Sequence, residues 1–199
     1  DDVGKPFDVG GIRIALPGKM RVVAGIGHRE CQRRCIFGFA IIGQLAAELD
    51  AIVENARSLG LNAIYFQVRP SGDALYKSAI FPASEYVSGE RGKEADGGFD
   101  ALAYLLKIAH EEGIRVHAWV NPLRVTVGSA SDPRTDINAL PENDPVRKDP
   151  SLAIAYADGR LYLDAGNPKA RELVAAGCRE IAEKYAVDGI IFDDYFYPS

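Results

Sequence analysis

A length of 199 residues allows one domain or part of a larger one. The composition, 47% hydrophobic and 26% charged, is that of a soluble globular chain and argues against disorder. A net charge of -5 gives no electrostatic footprint for nucleic acid, and no apolar run approaches the roughly 20 residues of a membrane-spanning helix.

The N-terminal 43 residues form an atypical segment. Two stretches, 11–16 and 20–24, can each form a strand, whereas residues 21–42 follow neither a helical nor a strand period. The chain begins without a signal peptide, as a mature secreted protein also would.

From residue 44 onward, the chain repeats an amphipathic helix, a short turn and an apolar strand three times. The apolar spacing predicts helices at about 44–59, at 99–112 and from Asn167 onward, and strands at 62–68, 114–120 and 187–192. Gly60 and Gly113 end the first two helices. Asn167 followed by Pro168 is the capping pattern that opens the third.

Alternating strands and helices predict a parallel α/β sheet, either doubly wound or closed into a barrel. The segments after the strands are long (69–98 and 121–167), while the returns from helix to strand are one or two residues. Long loops at the C-terminal ends of strands are typical of a (β/α)-barrel active-site face. We therefore predict the N-terminal half, about four βα units, of a (β/α)₈ TIM-type barrel, with residues 1–199 as a single partial domain.

The last predicted strand ends on two adjacent carboxylates, Asp193 and Asp194. Neighbouring strand residues point to opposite faces, so only one of the two can face the mouth of a barrel. Glycosidases need two carboxyl groups flanking the scissile bond, and one of this pair is a candidate catalytic group. The alternative is a solvated helix cap after the strand.

Other strand ends supply candidate substrate-binding residues. Arg69 can clamp a catalytic carboxylate or an acidic sugar, or form a structural ion pair. Trp119 is either a sugar-stacking platform or a core filler. Asn121, ahead of Pro122, can donate a hydrogen bond to a hydroxyl group or simply terminate the strand.

Two tyrosines beyond the carboxylates, Tyr195 and Tyr197, share one phase and suit either carbohydrate contact or loop anchoring. His117 lies on an apolar strand and is predicted to be an interior histidine, not a ligand. The three cysteines, Cys31, Cys35 and Cys178, have no metal-binding spacing. No metal and no cofactor are therefore predicted.

Several motifs in order resemble the glycosyl-hydrolase-like family 10, from about Leu49 to the C-terminus. They are residues 64–76 (IYFQVRPSGDALY), 117–124 (HAWVNPLR), 158–166 (DGRLYLDAG) and 188–198 (DGIIFDDYFYP). The opening strand departs from the R-G-V-W type of that family, and a reading-frame slip before residue 43 is one hypothesis for the departure.

The resemblance implies a barrel that hydrolyses glycosidic bonds of a bacterial cell-wall (peptidoglycan-type) or related polysaccharide, in the cell envelope or outside the cell. It places Arg69, Trp119, Asn121, Arg124, Asp193 and Asp194 around the cleft. Comparison with amylase-like barrels favours Asp193 over Asp194 as the catalytic carboxylate. The alternatives are a non-catalytic carbohydrate-binding barrel and a metal-dependent hydrolase.

Three further expectations follow. The partner is a glycan and not nucleic acid. The partner carboxylate lies beyond Ser199. The 199 residues alone are inactive, because half a barrel leaves a strand edge and an apolar sheet face uncovered. The oligomeric state stays open.

Overall fold

A computed structural model describes residues 8–9, 12–15, 21–24, 38–127, 132, 135–157 and 159–192, with side chains from residue 45 onward. The strands are β1 (Asp8–Val9), β2 (Ile12–Ala15), β3 (Arg21–Ala24), β4 (Ala63–Arg69), β5 (Arg115–Val120), β6 (Ala153–Ala155), β7 (Leu161–Leu163) and β8 (Gly189–Phe192). The α-helices are α1 (Gly38–Ser58), α2 (Glu85–Ser88), α3 (Ala101–Glu111), α4 (Pro145–Lys148) and α5 (Pro168–Lys184). Single 3₁₀ turns span Asp96–Gly98, Ile137–Ala139 and Pro150–Leu152.

The main sheet has the strand order β1-β2-β3-β4-β5-β8. Strand β2 is antiparallel to its neighbours β1 and β3, and β3, β4, β5 and β8 run parallel. The parallel strands lie in their order along the chain, without the reversal that marks a doubly wound sheet.

All three long helices contribute to one core on a single face of this sheet, the helix-covered face. The core residues are Leu45, Leu49, Val53 and Ala56 of α1, Leu102, Leu105 and Leu106 of α3, Ile181 of α5, Ile64, Phe66 and Val68 of β4, and Val116, Ala118 and Val120 of β5. Helices on one face of sequential parallel strands are the arrangement of a (β/α)-barrel, so the fold prediction is confirmed for a partial domain.

The opposite face, here called the inner face, carries Tyr65, Gln67, His117, Trp119 and Ile191. Strand alternation assigns them to it, because their neighbours Ile64, Phe66, Ala118 and Ile190 pack in the helix-covered core. All five are half-buried, which fits a sheet that carries helices only on its other side.

The bounds of the predicted strands and of helices α3 and α5 agree with the sequence expectations to within a few residues, whereas α1 and the loop after β5 differ more. Helix α1 begins at Gly38, inside the segment that shows no period, so its residues before about 44 were missed. The loop after β5 contains an antiparallel hairpin of β6 and β7, which pairs Ala153 with Leu163 and which the sequence reading treated as loop. Among the described helices, none is long and apolar enough to cross a membrane.

Helix α5 approaches the sheet closely at Gly177. Asn167 caps the helix by accepting a hydrogen bond from the Lys169 N–H, and Pro168 follows it, as predicted. A Cβ atom on Gly177 would lie 2.7 Å from Cε2 of Phe81 and 2.8 Å from Nη1 of Arg69. A glycine in mid-helix costs about 1 kcal/mol relative to alanine, so close packing is the reason for this residue.

We predict that Gly177→Ala lowers the free energy of unfolding by about 1–2 kcal/mol despite the better helix propensity of alanine, because the Phe81 ring is buried and has to move. Urea unfolding measures the change. The matched control is Ala175→Gly on the exposed side of the same helix, for which propensity alone predicts a loss of about 1 kcal/mol. A Gly177→Ala variant more stable than the parent would contradict the packing account.

Candidate active site

The C-terminal ends of β4, β5 and β8 lie side by side, and the candidate residues follow them. Arg69 of β4 pairs with Val120 of β5, and Val120 pairs with Phe192 of β8. Arg69, Asn121 and the end of β8 therefore lie at the same edge of the sheet. In parallel α/β structures this edge is where binding sites form.

A β-bulge interrupts β4 just before this edge. Gln67 pairs with Trp119, but the next pair along is Arg69 with Val120, so β4 holds one residue more than β5 at this point. The extra residue moves Arg69 out of the phase of Gln67 and into that of Val120, which is on the helix-covered face.

Arg69 therefore lies elsewhere than the sequence placed it. Its side chain is fully buried, and its guanidinium carbon lies 3.6 Å from the centre of the Phe81 ring, beneath Gly177 of α5. A guanidinium in this position has no access to a substrate in the cleft. The bulge is the physical reason for the difference.

The guanidinium of Arg69 is also without a hydrogen-bond partner among the described residues at Nε, Nη1 and Nη2. Burial lowers the pKa of Arg69, while Tyr76, Cys178, Asp73 and Glu180 act in the opposite direction through their charges. Burial likewise raises the pKa of Tyr76 well above its ordinary value, with Arg69 opposing the shift. A buried cation of this kind is costly unless an anion pairs with it.

Asn121 joins the ends of two strands. Its side-chain Nδ2 donates a hydrogen bond to the Pro70 carbonyl at 3.0 Å, and its backbone N–H donates to the Arg69 carbonyl at 2.9 Å. The residue is 6% exposed. These contacts hold the loop after β5 against the end of β4.

Arg124 lies in a short extended stretch that pairs with the hairpin. It forms an antiparallel bridge with Tyr162, and the Leu163 N–H donates to the Leu123 carbonyl at 2.7 Å. Arg124 is partly exposed, and its Nε is buried without a hydrogen-bond partner among the described residues. Of the two predicted arginines, Arg124 is thus the one with access to solvent at this edge.

A buried ion pair ties the loop after β4 to the loop after β5. Nη2 of Arg91 lies 2.9 Å from Oδ2 of Asp144, and Nη1 of Arg91 donates to the Val125 carbonyl at 3.0 Å. Burial raises the pKa of Asp144, and the effect outweighs the opposing charge of Arg91. The sequence reading missed both residues, which carry no recognisable motif.

The inner face forms two rows of side chains below the edge. Tyr65 and His117 stack with ring centres 4.9 Å apart, next to Gly189, where a Cβ atom would lie 2.6 Å from Nδ1 of His117. Above them, Trp119 pairs in register with Gln67 and Ile191. Nε1 of Trp119 is buried without a hydrogen-bond partner within the described ranges.

The predicted residues Asp193, Asp194, Tyr195 and Tyr197 lie outside the described residues. Within the described part of the chain, no group of three or more His, Cys, Asp or Glu side chains is placed to hold a metal ion.

Glu180 of α5 is bonded to the loop after β4 and was not identified from the sequence as a site residue. It accepts hydrogen bonds from the Ser78 hydroxyl at 2.5 Å, the Ala79 N–H at 2.6 Å and Lys184 Nζ at 2.8 Å. Burial by itself raises the pKa of Glu180, but these hydrogen bonds outweigh it and hold the pKa below its ordinary value. Tyr185 adds a second attachment through Asp100 and the Lys77 N–H.

The sequential parallel strands and the single helix layer define a partial (β/α)-barrel protein, a class whose members form their binding sites at the C-terminal edge of the sheet. The chain belongs to the glycosyl-hydrolase-like family 10, since the family model described as "Glycosyl hydrolase-like 10" matches residues 44–199.

Two curated relatives are similar to most of this chain. The glycosyl hydrolase YngK of Bacillus subtilis (strain 168) is 39% identical over 147 residues, and the glycosyl hydrolase DigH of Escherichia coli (strain K12) is 34% identical over 160 residues. The matches cover 74% and 77% of this chain, and 27% and 35% of the two relatives. The chain thus spans about a third of the length of these relatives.

Solved structures with a similar fold include the GH36 alpha-galactosidase AgaA from Geobacillus stearothermophilus, with a TM-score of 0.47 and 14% identity over 73% of this chain and 18% of that chain. The maltogenic alpha-amylase AmyB from Thermotoga neapolitana has a TM-score of 0.46 and 18% identity over 77% of this chain and 36% of that chain.

We predict that Glu180→Gln lowers the free energy of unfolding by about 1–3 kcal/mol at pH 7, because it removes a buried charged acceptor. The pKa of Glu180 in the folded state lies below 4.5, so its stabilising effect is present above pH 4.5 and is lost as the pH falls through the folded-state value. The difference between variant and parent should therefore shrink towards pH 3. Urea unfolding at both pH values measures it.

The control for this prediction is Glu183→Gln, an exposed glutamate on the same helix. It should change stability by less than about 0.5 kcal/mol at either pH. A Glu180→Gln effect that is equally large at pH 3 and pH 7 would refute a role for the ionised carboxylate.

Proposed function

We propose that this chain supplies part of the active site of a glycoside hydrolase, with Asp193 as the catalytic carboxylate and Asp194 as the second candidate. The observation that carries the proposal is the phase of β8. Ile190 packs in the helix-covered core, so Gly189 and Ile191 belong to the inner face. We propose that the alternation of β8 continues past Phe192, which would give Asp193 the phase of Ile191.

The chemistry of glycoside hydrolysis fits a carboxylate at this edge. One carboxyl group acts as nucleophile or base and a second as acid, on opposite sides of the scissile bond. The partner carboxylate is proposed to come from another strand end of the barrel. Whether the reaction retains or inverts the anomeric configuration depends on the separation between the two groups.

The residues at the C-terminal edge of the sheet suit a polysaccharide substrate. Trp119 is the second-last residue of β5, lies on the inner face and offers an aromatic surface. Arg124 is partly exposed beside the hairpin, and Tyr195 and Tyr197 follow the carboxylates in the sequence. Asn121 acts by holding the two loops together, since its amide donates to Pro70.

The substrate proposed is a bacterial cell-wall glycan of the peptidoglycan type or a related polysaccharide, in the cell envelope or outside the cell. Bacterial relatives named glycosyl hydrolases support a carbohydrate substrate for this chain. The 199 residues alone are proposed to be inactive, because the inner face is only half-buried and β8 ends the sheet within the described residues.

We predict that Asp193→Asn in the intact protein lowers kcat on peptidoglycan glycan strands by about 1,000-fold or more, because the amide cannot act as nucleophile, base or acid. Release of reducing ends measures the turnover. The matched control, Asp50→Asn, changes an exposed aspartate on α1, and we expect it to leave kcat unchanged.

Unaltered turnover of Asp193→Asn would reject the assignment. Glycan binding by the parent protein without any cleavage would instead favour a non-catalytic carbohydrate-binding barrel, since the fold by itself does not fix the function.

A further inference from the structure

The β6–β7 hairpin belongs to a short three-stranded sheet in the loop after β5, here called the hairpin sheet. The stretch 123–125 forms its third strand, through backbone hydrogen bonds of 2.7 and 3.0 Å to β7. Arg124 lies directly opposite Tyr162 of β7, and Ile154 of β6 lies opposite Tyr162 on the other side. Opposite residues in antiparallel strands have their side chains on the same face. Arg124, Tyr162 and Ile154 therefore form one row across the sheet, on what we call its front face.

The back of the hairpin sheet is apolar and packs against the start of α5. The residues of this second core that come from the sheet and from α5 are Val125, Leu161, Leu163 and Ala170, with Leu123, Ala153, Leu173 and Val174 packed against them. Leu173 also packs against the core of the main sheet. The helix layer thus lies behind both sheets, and the front face of the hairpin sheet is turned away from it, as the inner face of the main sheet is.

The front face combines aromatic and apolar side chains with cations. Tyr162 is buried in the centre of the row, with the Tyr156 ring centre 5.2 Å and the Arg160 guanidinium carbon 5.9 Å from the centre of its own ring. Ile154 is 42% exposed, and Tyr156 is half-buried. A surface with rigid rings, an exposed aliphatic side chain and a cation is suited to a ligand that has both apolar and anionic groups.

Arg124 differs from the other arginines of these loops because its charge is not compensated. Arg91 is bonded to Asp144 and the Val125 carbonyl, and Arg147 donates to the Leu140 carbonyl. Among the residues that the structure describes, the Arg124 side chain has neither an ion pair nor a hydrogen bond, although its Nε is buried. The residue is partly exposed, so its guanidinium can meet an anion from solution.

We propose that the front face of the hairpin sheet binds a muramic acid unit of the glycan, with the Arg124 guanidinium on a free lactyl carboxylate and with Ile154 and Tyr156 against the apolar parts of the sugar. The lactyl group carries a methyl group beside its carboxylate, which matches an aliphatic side chain and a guanidinium in one row. Two strand spacings, about 10 Å, separate the strands of Arg124 and Ile154, so the bound ligand covers more than one sugar unit.

The role of Arg124 follows from the geometry of its side-chain group. A guanidinium and a carboxylate can form two parallel hydrogen bonds, which select a planar anion over a hydroxyl group. Arg124 is then a residue that determines specificity and does not take part in the chemical step. The inference rests on the proposed function, because it names the sugar unit that the same edge of the protein recognises.

Titration calorimetry on the intact protein carrying Asp193→Asn tests the subsite. The probe is a tetrasaccharide of alternating N-acetylglucosamine and N-acetylmuramic acid with free carboxylates, and its partner is the same tetrasaccharide with the carboxylates reduced to alcohols. We expect the reduced form to bind about 10-fold or more weakly, because it loses charge-assisted hydrogen bonds. Arg124→Met, which keeps the packing of the side-chain stem, should weaken the carboxylate form about as much and the reduced form less than about twofold.

Two further variants serve as controls. Arg179→Met removes an exposed arginine from α5, in the helix layer, and should leave the affinity for both forms unchanged. Ile154→Ser should weaken both forms by the same factor, because an apolar contact does not depend on the carboxylate. If Arg124→Met does not fold, Arg124→Lys provides the test, since it keeps the charge but loses the planar pair of hydrogen bonds and should weaken only the carboxylate form.

Equal affinity of the two tetrasaccharides, or an equal loss for both with Arg124→Met, would overturn the proposal. Arg124-dependent binding of an oligogalacturonate, without binding of the muramic acid tetrasaccharide, would overturn the choice of ligand. Binding that depends on Arg124 and on the carboxylate, in a parent protein that does not cleave the glycan, would reject the proposed function and leave the subsite standing.

Discussion

The β-bulge between Gln67 and Arg69 is the constraint on which the arrangement of the strand ends depends. One extra residue in β4 changes the face on which Arg69 lies, and a buried cation replaces what would otherwise be an arginine in the cleft. Phe81 and Gly177 pack against the guanidinium of Arg69. The Phe81 ring stacks on the guanidinium, and Gly177 leaves space for the ring and for the guanidinium. The packing of α5 on the sheet therefore depends on the direction of one strand-end side chain.

The loops above the edge form a connected structure. Arg91 links the loop after β4 to Val125 and Asp144 in the loop after β5, and Asn121 links the same two loops at their bases. Glu180 attaches the loop after β4 to α5 from the opposite side. Each connection is a buried or half-buried polar contact, so hydrogen bonds between the loops hold the loop that carries Asn121 and Arg124 in place at the end of the strands.

Period and capping in the sequence were sufficient to predict the repeated helix and strand units, because α3, α5 and their neighbouring strands follow their local patterns. The strand-end positions of Arg69, Trp119, Asn121 and Arg124 were predicted for the same reason. The side of the sheet on which Arg69 lies was not predicted, because a bulge depends on the pairing between two strands and cannot be recognised in the sequence of one strand. The β6–β7 hairpin was missed because its strands have three residues each, too few to show alternation. The Arg91–Asp144 pair joins positions 53 residues apart, beyond any local pattern.

The most direct test of this account is a crystal structure of the intact protein that resolves the residues after Phe192. The account predicts that the Arg69 guanidinium stays buried between β4 and α5 beneath the Phe81 ring, with the Asp193 carboxylate on the inner face. An Arg69 side chain that points into the cleft, or that pairs with Asp193, would contradict it.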